Sequence, residues 1–253
     1  MTHLRKPLRR FPWLPFSATV VKDRIGKPLL RGNHMKLTPA REVYEKLRAR
    51  DPLKDFFSLW DDVRPSDVET LRHVLNTATR EEDIQQFLQK NPSLLIQHLG
   101  GGHGRWIIPK QRLGSEHVTD FMIADCDSMG FHWTAVELES PLATMFTKAG
   151  NPSATLNHAI RQIRDWRIWL SRNQNYAARP RSEDGLGLTD IDAEVPGLIL
   201  MGRRATESED TRHMRRQISR ESKIEIHTFD FLLDALTGRL ASLDERRNWD
   251  AAT

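Results

Sequence analysis

The period of the apolar positions changes several times along the chain. From Ser153, "SATLNHAIRQIRDWRIWLSRN" carries Leu156, Ala159, Ile163, Trp166 and Leu170 on one side of a helix, with the Ser153 hydroxyl placed to cap its first free N–H groups. Upstream, "RWIIPKQRL", "HVTDFMIAD" and "FHWTAVELES" have strand composition and are separated by polar or glycine-bearing turns, which predicts a meander entered through the glycine turn "GGGHG" at 100–104. Before them, Ser66 with Glu69 and Thr79 with Glu82 match the capping box, predicting helices over about 67–77 and about 80–90, the second stopped by "NPS". Downstream, "PGLILMGR" is a continuous apolar run suited to an inner strand, and a helix "SEDTRHMRRQISRES", a strand "KIEIHTF" and a helix "DFLLDALTGRLASLDERR" follow. Strands followed by alternating helices and strands are an α/β order.

The first 40 residues break this regularity with prolines and basic residues, and "PAREVYEKLRAR" then reads as a helix. Residues 1–36 hold nine Lys and Arg against one acid, Asp23, a net +8; with +4 on the whole chain, the remainder sums to −4. A basic, proline-rich extension or small accessory domain over 1–65 and a folded domain over 66–253 are the expected division. Such an arm suits phosphate contact, and it equally suits plain solvation. One cysteine among 253 residues excludes an internal disulfide or a cysteine-rich zinc cage. No apolar run is long enough to cross a membrane. The arginine pair before "FPWLPF" is followed by prolines rather than an export core, so a cytoplasmic location is expected.

The chain has no phosphate-binding loop ending in Gly-Lys-Ser/Thr, no HExxH and no Gly-x-Ser-x-Gly elbow, so no nucleotide cofactor is evident. Carboxylates remain. In "TAVELESP", Glu137 and Glu139 would share one side of a strand and Val136 and Leu138 the other. Two like charges on one small surface need solvent, a shared proton or a cation. Asp120, inside the apolar "VTDFMIA", is costly to bury unless it is paired or binds metal. Asp120, Glu137 and the Leu138 carbonyl together form a hard oxygen set suited to Mg²⁺ or Mn²⁺.

The ordered segments "REEDIQQFLQKNPSLL", "TDFMIA", "WTAVELESP", "FTKAGNPSATLNHAIRQIRDWRIWL", "LILMGR" and "IEIHTFDFLLDAL" resemble the nuclease domain of the Shedu family, an anti-phage defence group within the PD-(D/E)xK nucleases, over roughly 79–236. The resemblance implies a Mg²⁺- or Mn²⁺-dependent DNA endonuclease with a restriction-endonuclease-like mixed central sheet flanked by helices, acting as a homo-oligomer. It places the metal-binding acids at Asp120 and Glu137 and the helical acid at Glu81. Glu139 stands where such nucleases usually have lysine, so it would act as a base or a further ligand, and Lys148 is the candidate for the missing cation. Gln162 matches a glutamine on the helix after the catalytic strand. Arg161, Arg164 and Arg172, and Arg212, Arg215, Arg216 and Arg220, occupy helix faces that suit phosphate contacts or plain solvation. Two other readings stay open: a DNA-binding or end-sensing subunit that no longer cuts, with Glu139 the mark of its degeneration, and a non-enzymatic scaffold. RNA also stays open as substrate.

Overall fold

The computed structural model describes residues 52–59, 61–100, 103–207 and 209–252. The basic arm over 1–36, the helix expected from "PAREVYEKLRAR" and part of the "GGGHG" turn lie outside them. By its internal packing the chain divides into Met1–Arg50 and Asp51–Thr253. The second unit begins earlier than the boundary expected at 65/66, because Phe57–Ser58 joins its sheet.

That sheet has six strands: β1 (Phe57–Ser58), β2 (Gly104–Pro109), β5 (Phe121–Asp127), β6 (Gly130–Leu138), β7 (Gly197–Leu200) and β8 (Ile224–His227), in that spatial order. The first four pair antiparallel and the last two add in parallel, so the sheet is mixed, as expected. β3 (Arg112–Leu113) and β4 (His117–Val118) form a separate two-stranded ribbon. The helices are α1 (Pro65–Thr77), α2 (Glu81–Lys90), α3 (Ala154–Ala178), α4 (Glu209–Ser222) and α5 (Asp230–Ala252).

Strand alternation sorts the core into two layers. Trp133, Ala135 and Ile199 pack with Leu156, Ile163, Trp166 and Leu170 of α3. Val136, Leu138, Leu198 and Leu200 pack on the opposite side with Leu71 and Leu75 of α1, Ile84 and Leu88 of α2, and Leu232 and Leu236 of α5. Both faces of the inner strands are therefore covered, which is why β7 is apolar at every position. Gly197 lets α3 approach: a Cβ there would lie 2.8 Å from Ile163 Cδ1. The long helix begins as expected, with Ser153 Oγ accepting from Leu156 N–H at 3.1 Å. Arg167, buried on the same helix, donates to the carbonyls of Val195, Ser222 and Lys223 and so ties α3 to the chain entering β7 and β8.

Three local expectations change. The expected capping pairs are replaced, since Asp67 accepts from Arg64 N–H at 2.7 Å and Asp83 accepts from Arg80 N–H at 3.2 Å. An aspartate reaches back over these helix starts where the longer Glu69 and Glu82 stay exposed. "RWIIPKQRL" is two strands, not one, because Lys110 takes φ +48° and turns the chain out of the sheet. "HVTDFMIAD" is divided likewise, and Asp120 occupies the corner before β5 rather than mid-strand.

Candidate metal centre

The register of two strand pairs assembles the acids. Phe121 faces Val136 across β5 and β6, so the next residue along each strand places Asp120 opposite Glu137. Phe121 also faces Pro109 across β5 and β2, which brings Lys110 against Asp120 on the other side. Backbone bonds close this corner: Lys110 N–H donates to the Asp120 carbonyl at 2.8 Å, and Thr119 N–H to the Gln111 carbonyl at 2.9 Å. Asp120, 6% exposed, then accepts three side-chain or backbone donors. Leu138 N–H reaches Oδ2 at 2.8 Å, while Lys110 Nζ at 2.9 Å and the amide of Gln85 reach Oδ1. Because N–H and C=O of one strand residue point toward the same edge, the Leu138 carbonyl also faces the Asp120 side, beyond the first residue of β5.

Glu137 and Glu139 follow on β6 and its continuation, where Glu139 N–H still bonds the Leu200 carbonyl at 2.9 Å. Both are buried. The core layers agree with the expected alternation, since Val136 and Leu138 face the α1, α2 and α5 layer and Ala135 the α3 layer. Glu81, in the first turn of α2, is half-buried and stands one turn before Gln85, whereas Glu82 is exposed. These acids feel one another. Burial, then the charges of Asp120, Glu139 and Glu81, push Glu137 up to about 10. Burial followed by Asp120 and Glu82 raises Glu81 to about 7, and burial followed by Glu81 and Asp120 raises Glu139 to about 7.

The donor chemistry fits a divalent cation. Four carboxylates held within Coulomb range, three of them buried, are hard oxygen ligands short of positive charge. Among the described residues, however, no three His, Cys, Asp or Glu side chains already stand in a metal-holding group. The bonds to Asp120 explain part of this: its oxygens are engaged by Gln85, Lys110 and Leu138, so a cation there would share or displace those donors.

The other expected residues lie elsewhere. Lys148 is exposed on the loop after β6 and lines an open hollow with Thr144, Arg203, Thr206 and His213. Among the described residues it forms no ion pair with a carboxylate, and the leading cationic influence on Glu81 and Glu137 is Lys110. Gln162 is half-buried on α3, its Oε1 enclosed and without a hydrogen-bond partner among the described residues. Trp166 and Trp169 are core residues. Arg161, Arg164, Arg172, Arg212, Arg216 and Arg220 are exposed. Arg215 departs from its expected role: it is partly buried, pairs with Glu207 at 3.3 Å and donates to the Ile226 carbonyl, because α4 packs on β8 along that line. Lys110 and Gln85 were not anticipated. Gln85 had a signal, a polar residue within the buried stripe of Glu81, Ile84 and Leu88.

Comparison with known proteins adds a family and a distant likeness. Residues 78–233 match the model described as Shedu protein SduA, C-terminal. A solved structure of the restriction endonuclease FokI bound to DNA is similar at 12% identity with a TM-score of 0.37, covering 82% of this chain and 32% of that one. The chain thus spans about a third of that solved chain's length. No curated protein matches it.

Proposed function

We propose, on the premise that this chain belongs to the Shedu family through its SduA C-terminal domain, that it is a metal-dependent DNA endonuclease acting in prokaryotic anti-phage defence. The observation that carries this reading is the convergence of Asp120, Glu137, Glu139 and Glu81 on one end of β5 and β6. So many partly buried acids weaken a fold, which favours a site kept for chemistry. Asp120, Glu137 and the Leu138 carbonyl would hold Mg²⁺ or Mn²⁺, with Glu81 completing the set. A divalent cation bound there supplies Lewis-acid polarisation of a phosphoryl oxygen.

The protein's own groups do the rest. Glu139, beside the ligands but less buried than Glu137, takes the proton from an attacking water as its oxygen bonds to phosphorus. The bond from phosphorus to the leaving sugar oxygen breaks, and that oxygen gains a proton from solvent. Exposed Arg161, Arg164, Arg212 and Arg216, with Lys148 in the hollow, position the duplex by its phosphates. The polypeptide works in the cytoplasm as a homo-oligomer in this reading.

The second reading, a subunit that binds DNA without cutting it, is favoured by the donors from Gln85, Lys110 and Leu138 that engage both Asp120 oxygens. The deciding experiment is cleavage of supercoiled and linear DNA, with an RNA of matched length, by the full chain in Mg²⁺ or Mn²⁺. EDTA and Glu137→Ala serve as controls. Cleavage lost in both controls is the expected result. DNA binding with no cleavage in either metal would replace the endonuclease by the binding subunit.

A further inference from the structure

We propose that Lys110 is the fixed cation of this centre, a positioning residue that orients Asp120 and balances the surrounding carboxylates before and during metal binding. The inference rests on the endonuclease reading for its activity arm. Three observations carry it. Lys110 Nζ stands 2.9 Å from Asp120 Oδ1, and among the described residues this is the ion pair that reaches the acid cluster. The backbone is committed to the contact, since Lys110 N–H bonds the Asp120 carbonyl at 2.8 Å and fixes both residues at one corner. Lys110 also holds φ +48°, a left-handed conformation that a long side chain adopts against its preference.

A corner needing that conformation would be better served by glycine, for which it carries no steric cost. Lysine stands at this corner instead, and what its side chain touches is Asp120. Pinned by Lys110 and Leu138 N–H, Asp120 cannot rotate freely, so its lone pairs are presented in a defined direction.

The corner's backbone preference makes a discriminating test available. Lys110→Gly keeps the turn and both backbone bonds and removes only the charge and its stem, so it should fold as the parent does. If Lys110 serves merely to build the corner, Lys110→Gly will cleave DNA like the parent protein. On the proposal, Lys110→Gly and Lys110→Met lose about 10- to 100-fold in cleavage rate, as outer partners of metal ligands do. DNA affinity at fixed salt changes less than about threefold, as one lost charge allows, and Lys110→Arg recovers most of the rate.

A second readout does not need activity. Without Lys110 the divalent cation is the main counter-charge for the acids, so Mg²⁺ or Mn²⁺ should raise the melting temperature of Lys110→Gly more than that of the parent. Cleavage by Lys110→Gly within about threefold of the parent overturns the proposal. If the parent itself does not cut, the endonuclease reading fails, and equal metal-induced shifts in the two proteins then overturn this proposal separately.

Discussion

Replacing Glu137 with glutamine should stabilise the metal-free protein while abolishing cleavage. Glu137 is 5% exposed, and burial with three neighbouring acids pushes its pKa from 4.5 up to about 10. In the unfolded chain it titrates near its ordinary value, so between about pH 4.5 and pH 10 the folded protein binds more protons than the unfolded one. Stability therefore falls as pH rises through that window, and the penalty is absent below it. One pKa unit is worth about 1.4 kcal/mol, which sets a ceiling of about 5 kcal/mol at pH 8. Proton sharing with Glu81 and Glu139 and local relaxation reduce the expected value to about 2–3 kcal/mol. Glutamine keeps the shape and drops the charge. In EDTA at pH 8, Glu137→Gln should melt roughly 5–10 °C above the parent, given about 2–4 °C per kcal/mol for a domain of this size. The gap should shrink toward zero near pH 5, and saturating Mg²⁺ should raise the parent but scarcely move the variant. Thermal unfolding at four pH values, with and without metal, checks this. A variant that melts below the parent at pH 8, or a gap independent of pH, would refute the claim that burial and the neighbouring acids make ionisation of this carboxyl costly in the folded protein.

Other residues separate structural from functional charge. Arg215→Ala leaves Glu207 without its partner in a partly buried setting and should cost about 1–3 kcal/mol in denaturant unfolding. Exposed Arg212→Ala and Arg216→Ala should instead leave stability within about 0.5 kcal/mol and reduce the log–log salt slope of DNA binding by about one each. Arg167→Ala removes donors from three backbone carbonyls and should lower stability by about 3 kcal/mol, read by urea unfolding, without changing the metal dependence of cleavage. His98 is held near pKa 4 by burial, so between about 4 and 6.5 the unfolded chain binds more protons and stability is lost as pH falls through that range. His98→Gln should flatten this acid limb, worth about 2–3 kcal/mol at pH 4.

Periodicity carried most of the fold. The heptad-like spacing of α3, the apolar run of β7 and the alternation in β6 each state their own burial, because a helix or strand exposes its faces at a fixed interval. Among the described residues the helices and inner strands accordingly lie where the pattern places them, and the mixed sheet follows from their order. The divided strands were less legible: "RWIIPKQRL" and "HVTDFMIAD" keep strand composition straight through corners that only a left-handed Lys110 and a separate ribbon reveal. Cap partners were missed for a similar reason, as aspartate and glutamate nearby both satisfy the composition of a cap and only the backbone geometry chooses between them.

The candidate centre divides along the same line. Glu137 lies on β6 and Glu139 on its extended continuation, so their common side was readable from two-residue alternation, and Glu81 from its place on the buried stripe of α2. Lys110 is ten residues from Asp120 in sequence, and Gln85 is thirty-five away. Their contact depends on the register of β2 on β5 and on how α2 seats against the sheet. Local spacing sets which side chains share a face; strand register and helix packing, cooperative over the whole domain, decide which faces meet. The sequence by itself therefore determined the carboxylates and their side of the strand, while tertiary structure alone decided which cation stands beside them.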